Sequence, residues 1–170
     1  MNRTFALLSL AVFAALATGC GNRDVPVIEM EAKKDIGENM INANRYMSKA
    51  EDTQIDELVR RNGWQARKLS NGVRVWEYSA GTGEKLGYET AIMLQYSLCA
   101  ISMDTIYGNV QKTITVGKNE VVPGLDTALL ELRRGSKAIV IVPAYAGYGV
   151  AGDGDKVPQN ATLVFDLEIK

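Results

Sequence analysis

Polar and apolar positions change their period near Gly63. Before it, Ile36, Met40, Ala43 and Met47 recur at spacings of four, three and four in a stretch rich in Glu, Lys, Asn and Met, which predicts an amphipathic helix. Ile55, Leu58 and Val59, with Asp52-Thr53 as a start signal and Asn62-Gly63 as a stop, predict a second, shorter helix. Neither hides its apolar face alone, so they must pack on the main domain, on each other or on a second copy of the protein.

Beyond Gly63 the pattern alternates. The turn Ser70-Asn71-Gly72 leads into a strand over Val73 to Tyr78, closed by Ser79-Ala80-Gly81-Thr82-Gly83. Ala91 to Ile101 sets Ile92, Leu94, Tyr96 and Leu98 on one face, so Tyr96 points where the core aliphatics point. Ser102 to Val110 is loop-like, and Lys112 to Val116 is another short strand. Within Gly117 to Gly135, Leu125, Leu129 and Leu132 mark a helix of about ten residues, with Arg133-Arg134 at its C-terminal end and Gly135 just past it. The last strands are Lys137 to Val142 and Ala161 to Lys170, the latter alternating as in a sheet with one buried face and one wet face.

The apolar run Ala138 to Val142 meets Pro143, which removes a backbone donor and ends the strand. Gly147 and Gly149 then bracket Tyr148, a backbone able to turn sharply and hold one phenol at a rim. This is either a binding loop or an ordinary turn with a surface tyrosine.

With 170 residues, 46% hydrophobic and 23% charged, the chain suits one globular domain plus extras. It contains no histidine, which excludes a Ser-His-Asp triad, a Cys-His pair and any His-ligated metal site. Arg3 precedes the apolar run Phe5 to Ala17, too short to span a bilayer but suited to a signal-peptide core. With Thr18-Gly19 before Cys20 the segment resembles a bacterial lipoprotein signal, implying cleavage ahead of Cys20, its acylation and a lipid anchor at the cell envelope. Ala17 stands where such signals usually carry leucine. Removing residues 1–19 takes away Arg3 alone and leaves 18 basic against 20 acidic residues, so nothing suggests a nucleic-acid partner. With Cys20 used by lipid, Cys99 has no disulfide partner and is expected to be a buried small apolar residue.

Two patterns mislead. Gly147 to Gly152 matches G-x-G-x-x-G after a strand, but Asp153-Gly154-Asp155-Lys156-Val157-Pro158 cannot open the helix a dinucleotide site needs. Asp153 and Asp155 alternate with glycine as in a calcium loop, yet the twelfth position is Val164. A flexible turn is expected there, with neither cofactor nor metal.

Three segments, Gly117-Lys118-Asn119-Glu120-Val121-Val122-Pro123-Gly124-Leu125, Val142-Pro143 leading to Ala146-Gly147-Tyr148-Gly149, and Val157-Pro158-Gln159-Asn160-Ala161-Thr162-Leu163-Val164-Phe165-Asp166, resemble the FKBP-type peptidyl-prolyl isomerases in order and spacing. The resemblance covers about Gly72 to Lys170 and implies an α+β fold, an antiparallel sheet of about five strands curled around one short helix. It divides the chain into a signal at 1–19, a tether and helical extension at 20–63 and the isomerase domain at 64–170. It implies a proline pocket in which Tyr148, Val122 and Tyr96 act on the substrate, lined by Tyr107, Ile114, Val121, Leu125, Val157 and Phe165. Leu125 replaces a tryptophan common in the family, and Gly108 stands where the family usually has an aspartate. A rate below that of a typical member is expected for that reason.

Such a pocket uses no acid, base or metal. Twisting an X-Pro amide costs roughly 18–20 kcal/mol because resonance is lost. A twisted amide has less charge separation than a planar one, so a dry apolar pocket favours it. The resemblance implies that the Tyr148 hydroxyl and the Val122 N–H hold substrate carbonyls meanwhile. The expected partners are proline-containing unfolded or exported polypeptides. A non-catalytic binding module of the same fold is the alternative, and the helical extension is expected to be dispensable for the pocket.

Overall fold

A computed structural model describes the backbone of residues 27–170 and the side chains of residues 37–170. The expected signal segment and Cys20 lie outside the described residues, as does the side chain of Ile36. A compact unit begins at Arg45 and runs to Lys170. Among the described residues no helix is long and apolar enough to cross a membrane.

One helix, α1 (Val27–Arg61), replaces the two expected. Asp52-Thr53 starts nothing, because the Thr53 hydroxyl donates to the Lys49 carbonyl one turn back at 3.0 Å while Asp52 accepts from Arg74 and Lys68. With no proline and the single glycine Gly37 inside it, the helix has no strong breaker. It ends where the stop signal stood. The Asn62 side chain donates to the Leu58 carbonyl at 2.9 Å, and Gly63 turns the chain away at φ 68°.

Six strands, one more than expected, form an antiparallel sheet: β1 (Arg67–Lys68), β2 (Arg74–Ser79), β3 (Ala91–Ala100), β4 (Thr105–Thr115), β5 (Lys137–Val142) and β6 (Leu163–Ile169), in the order β1-β2-β5-β6-β3-β4. Most of the stretch expected to be loop, Ser102 to Val110, belongs to β4. Tyr96 pairs with Val110 and Leu98 with Tyr107, so Gly108 and Asn109 stand opposite the single residue Ser97 in a bulge, and the Asn109 N–H donates to Ser97 Oγ at 3.2 Å. Gly and Asn here bend a strand rather than break it.

The short helix α2 (Pro123–Leu129) has seven residues, fewer than expected. Beyond it the chain is captured by residues 83–86: the Leu86 N–H donates to the Leu132 carbonyl at 2.9 Å and the Arg134 N–H to the Glu84 carbonyl at 3.1 Å. Leu132 still fills the core, but from a turn, and Arg133-Arg134 lie outside the helix.

The inner face of the sheet packs Ile92, Leu94, Leu98, Val140 and Leu167 on Leu125, Ala128 and Leu129 of α2. The outer face is not wet throughout. Ile139, Ile141 and Val164 are covered by Ile55 and Leu58 of α1, with half-buried Trp64, Trp76 and Cys99 around them. Cys99 is therefore half-buried rather than buried. Arg74, only 2% exposed, anchors the same contact by donating to Asp52 and Asp56 of α1, each at 2.7 Å.

Candidate functional site

The residues singled out in sequence come from six parts of the fold. Tyr96 lies on β3, Tyr107 and Ile114 on β4, Val121 and Val122 before α2, Leu125 in its first turn, Val157 in the loop after Tyr148, and Phe165 on β6. Ile114, Val122, Leu125, Val157 and Phe165 are buried in one cluster, with half-buried Tyr96, Tyr107 and Val121 packed against it. The Tyr96 and Phe165 rings meet edge-on, centroids 5.6 Å apart at 61°. Such a pairing is stable for aromatic quadrupoles and forms one side of the apolar cluster.

Local chemistry sets each position. Pro123 opens α2 without needing a donor, and the Val122 carbonyl accepts from the Leu125 and Asp126 N–H groups, both at 3.0 Å. Gly124 lets the helix approach β5, since a Cβ there would stand 2.5 Å from Val142 Cγ1. Asp126, absent from the sequence reading, is buried. Its carboxylate accepts from the N–H groups of Gly117 at 2.8 Å and Asn119 at 3.4 Å, tying the loop before α2 to the helix. An acidic residue in a first helical turn was the available signal, but its backbone partners are set only by the fold.

Pro143 ends β5 as expected, and a 3₁₀ turn (Ala144–Ala146) follows. Tyr148 is 38% exposed and close enough to Tyr96 to act on it electrostatically, with Gly149 at φ 60° beside it. Asp153 organises the next loop, which is therefore more than a flexible turn. Its Oδ1 accepts from the N–H groups of Asp155 at 2.9 Å and Val157 at 2.8 Å, and Oδ2 accepts from the Tyr107 hydroxyl at 2.6 Å. This bond joins β4 to the loop that supplies Val157, while Lys156 Nζ lies 5.3 Å from the Tyr107 ring centre. No helix follows the G-x-G-x-x-G stretch. Gly108 sits in the β4 bulge, and a Cβ there would meet Thr105 Cγ2 at an ordinary 3.8 Å.

The electrostatics keep three phenols protonated. Burial pushes Tyr96 up, with Tyr148 adding to it, and burial followed by the Asp153 charge does the same to Tyr148. The hydrogen bond to Asp153 holds the Tyr107 proton and keeps the Asp153 carboxyl below its ordinary value. At neutral pH the rim therefore presents neutral O–H donors over an apolar floor. It can orient a carbonyl and exclude water from an amide.

Residues 90–170 match the family model described as FKBP-type peptidyl-prolyl cis-trans isomerase. The chain is 46% identical over 63 residues to peptidyl-prolyl cis-trans isomerase FKBP9 of Homo sapiens, covering 36% of this chain and 11% of that one. It is 28% identical over 103 residues to a probable FKBP-type 25 kDa peptidyl-prolyl cis-trans isomerase of Pseudomonas aeruginosa, covering 61% of this chain and 45% of the relative. The chain thus spans well under two thirds of the length of these relatives. A peptidyl-prolyl cis-trans isomerase structure from Pseudomonas syringae pv. tomato superposes with a TM-score of 0.61 at 24% identity over 71% of this chain and 89% of that one, a likeness of fold.

Proposed function

We propose that this chain, which carries an FKBP-type peptidyl-prolyl cis-trans isomerase domain, catalyses rotation about X-Pro bonds in unfolded or exported polypeptides. The observation that carries it is the convergence of Tyr96, Ile114, Val122, Leu125, Val157 and Phe165 on one apolar cluster, with the Tyr148 phenol close enough to Tyr96 to push that phenol's pKa up. Proline enters between the aromatic wall and the Leu125 floor. Carbonyls of the substrate chain accept from the Tyr148 hydroxyl and the Val122 N–H. The twisted amide, having lost resonance and charge separation, is favoured by the apolar walls over the planar one. Leu125 in place of a tryptophan leaves a roomier floor. Asp153 gives the rim a carboxylate on Tyr107, although Gly108 provides none.

The test is a protease-coupled proline-peptide assay on the whole protein. Acceleration above the buffer rate supports catalysis, and a rate equal to buffer sinks it. The binding-module reading rests on a different observation, the exposed apolar side chains Met40, Ile41, Tyr46 and Met47 of α1. Suppression of aggregation without isomerisation would favour it. The same side chains support a homodimer through the helices, which sedimentation across a concentration series would reveal.

The Cys20 context supports an acylated, envelope-anchored form. Cys20→Ser should move the protein out of the membrane fraction and block processing. Unchanged partition and normal processing would count against the anchor.

A further inference from the structure

Ala144 is the hub of the loop that carries Tyr148. Its carbonyl accepts from the N–H groups of Gly147 at 3.1 Å and Gly149 at 2.9 Å, the residues on either side of that tyrosine. Its own N–H leaves the loop and donates to Glu51 Oε1 of α1 at 2.7 Å. The same oxygen accepts from the buried Thr162 hydroxyl at 2.5 Å. Thr162 in turn lies two residues after Asn160, whose N–H donates to the Gly149 carbonyl at 2.8 Å. The contacts close a ring running from Glu51 through Ala144, Gly149, Asn160 and Thr162 back to Glu51. One carboxylate oxygen thus ties together the segment bearing Tyr148 and the segment leading into Phe165.

The mount of that carboxylate is rigid. Asp52, next to Glu51, is held by Arg74, and Ile55, one turn on, is fully buried against the sheet. A group carried on a packed helix holds geometry more closely than one carried on a loop. Charge-assisted bonds to backbone N–H groups are also among the stronger hydrogen bonds.

We infer that Glu51 is a positioning residue for the reaction: from α1 it fixes the Ala144 peptide and with it the angle at which Tyr148 meets the substrate carbonyl. This rests on the isomerase reading above and assigns α1 a part in the active site. Glu51 acts through Tyr148 and touches no substrate itself. Isomerisation needs the donor aligned while the amide twists, so a loosened phenol lowers the rate without changing the pocket's apolar walls.

The experiment compares kcat/KM on a proline peptide for the full-length protein and for Glu51→Ala, Glu51→Gln, Tyr148→Phe and the Glu51→Ala/Tyr148→Phe double variant. Glu51→Ala should lose about five- to tenfold, the size of one misplaced hydrogen bond. Glu51→Gln, which keeps an acceptor oxygen, should recover most of that. In the Tyr148→Phe background Glu51→Ala should cost at most about twofold, because the hydroxyl it positions is already gone. Equal losses in both backgrounds would make Glu51 merely structural and overturn the inference, as would a wild-type rate for Glu51→Ala. Should Glu51→Ala not fold, Thr162→Val opens the same ring and must show the same dependence on the Tyr148 hydroxyl, or the inference fails. Wild-type protein no faster than buffer would instead overturn the isomerase reading itself, a result separable from active wild type with an indifferent Glu51.

Discussion

The proposed pocket takes a donor from Tyr148 and an apolar floor from Leu125, and substitution separates the two. Tyr148→Phe keeps the ring and removes one donor, so the expected loss is about 0.5–1.5 kcal/mol, up to roughly tenfold in kcat/KM. Leu125→Glu puts a carboxylate where the side chain is 1% exposed, and Val122→Asp does the same at the start of α2. Both should lose far more than tenfold, roughly the cost of wetting the pocket or leaving a charge unpaired in it. A Leu125→Glu rate close to that of Tyr148→Phe would show that the floor is not part of the site. Tyr107 offers a test free of activity. Its proton is held chiefly by the Asp153 carboxylate, so Asp153→Asn should bring the phenol down toward its ordinary value, seen by ultraviolet titration of phenolate. Asp153 is also the residue whose role the sequence hid most fully. It stood in a Gly-Asp-Gly-Asp run that suggested calcium or a flexible turn, and its partner Tyr107 lies 46 positions away.

Among the elements, α1 is held to the sheet by a buried cation whose carboxylates are partly solvated. Arg74 donates to Asp52, Asp56, the Gly72 carbonyl and the Asp52 carbonyl. Removing both carboxylates with Asp52→Ala/Asp56→Ala leaves the guanidinium buried without an anion and should cost about 3–5 kcal/mol. Arg74→Met removes the charge itself and leaves carboxylates that water can reach, so it should cost less in denaturant unfolding. The reverse order would show that packing, rather than charge pairing, dominates the contact. The Asp52 carboxyl is depressed, first by its hydrogen bond from Lys68 and also by Arg74, against the opposing effect of burial. A carboxyl depressed in the folded state stabilises fully above its unfolded value of 3.8, and that contribution disappears as pH falls through the folded value. Asp52→Asn should therefore flatten the acid limb of the stability profile below about pH 4 and leave its neutral-to-alkaline shape unchanged.

For the molecule as a whole, the boundary that matters lies inside α1. The compact unit holding the sheet begins at Arg45, and Ile55 and Leu58 belong to its packing. A chain beginning at Gly63 discards both, at about 1.5–3 kcal/mol each. It also discards Glu51 and both carboxylate partners of Arg74. That loss rivals the whole stability of an ordinary domain, about 5–15 kcal/mol, so such a chain should unfold at far lower denaturant than the full protein. A chain beginning at Arg45 keeps all of these contacts and should retain the midpoint. Equal midpoints for the two truncated chains would show that α1 contributes nothing to the domain, and a Gly63 chain that keeps its fold and its proline-peptide rate would make α1 the extension dispensable for the pocket that the sequence predicts.

Periodicity determined a good deal without help from the fold. Alternation placed β2, β3 and β6, a continuous apolar run ended by Pro143 placed β5, and the Asn62-Gly63 stop ended α1, because these signals act through the backbone of a few adjacent residues. The three motif segments likewise carried the resemblance to the FKBP-type domain, on which the proposed site residues rest. Tertiary structure decided what depends on partners distant in sequence. Gly108 and Asn109 became a bulge because β3 was there to pair with β4, and α2 stopped early because residues 83–86 captured the chain beyond it. The outer face of β5 and β6 is dry where Ile55 and Leu58 lie on it, since one strand's alternation cannot tell which helix will cover its second face. Glu51 was illegible for the same reason. A glutamate on a helix reads as a solvated charge until the fold brings an amide 93 positions away within 2.7 Å of it.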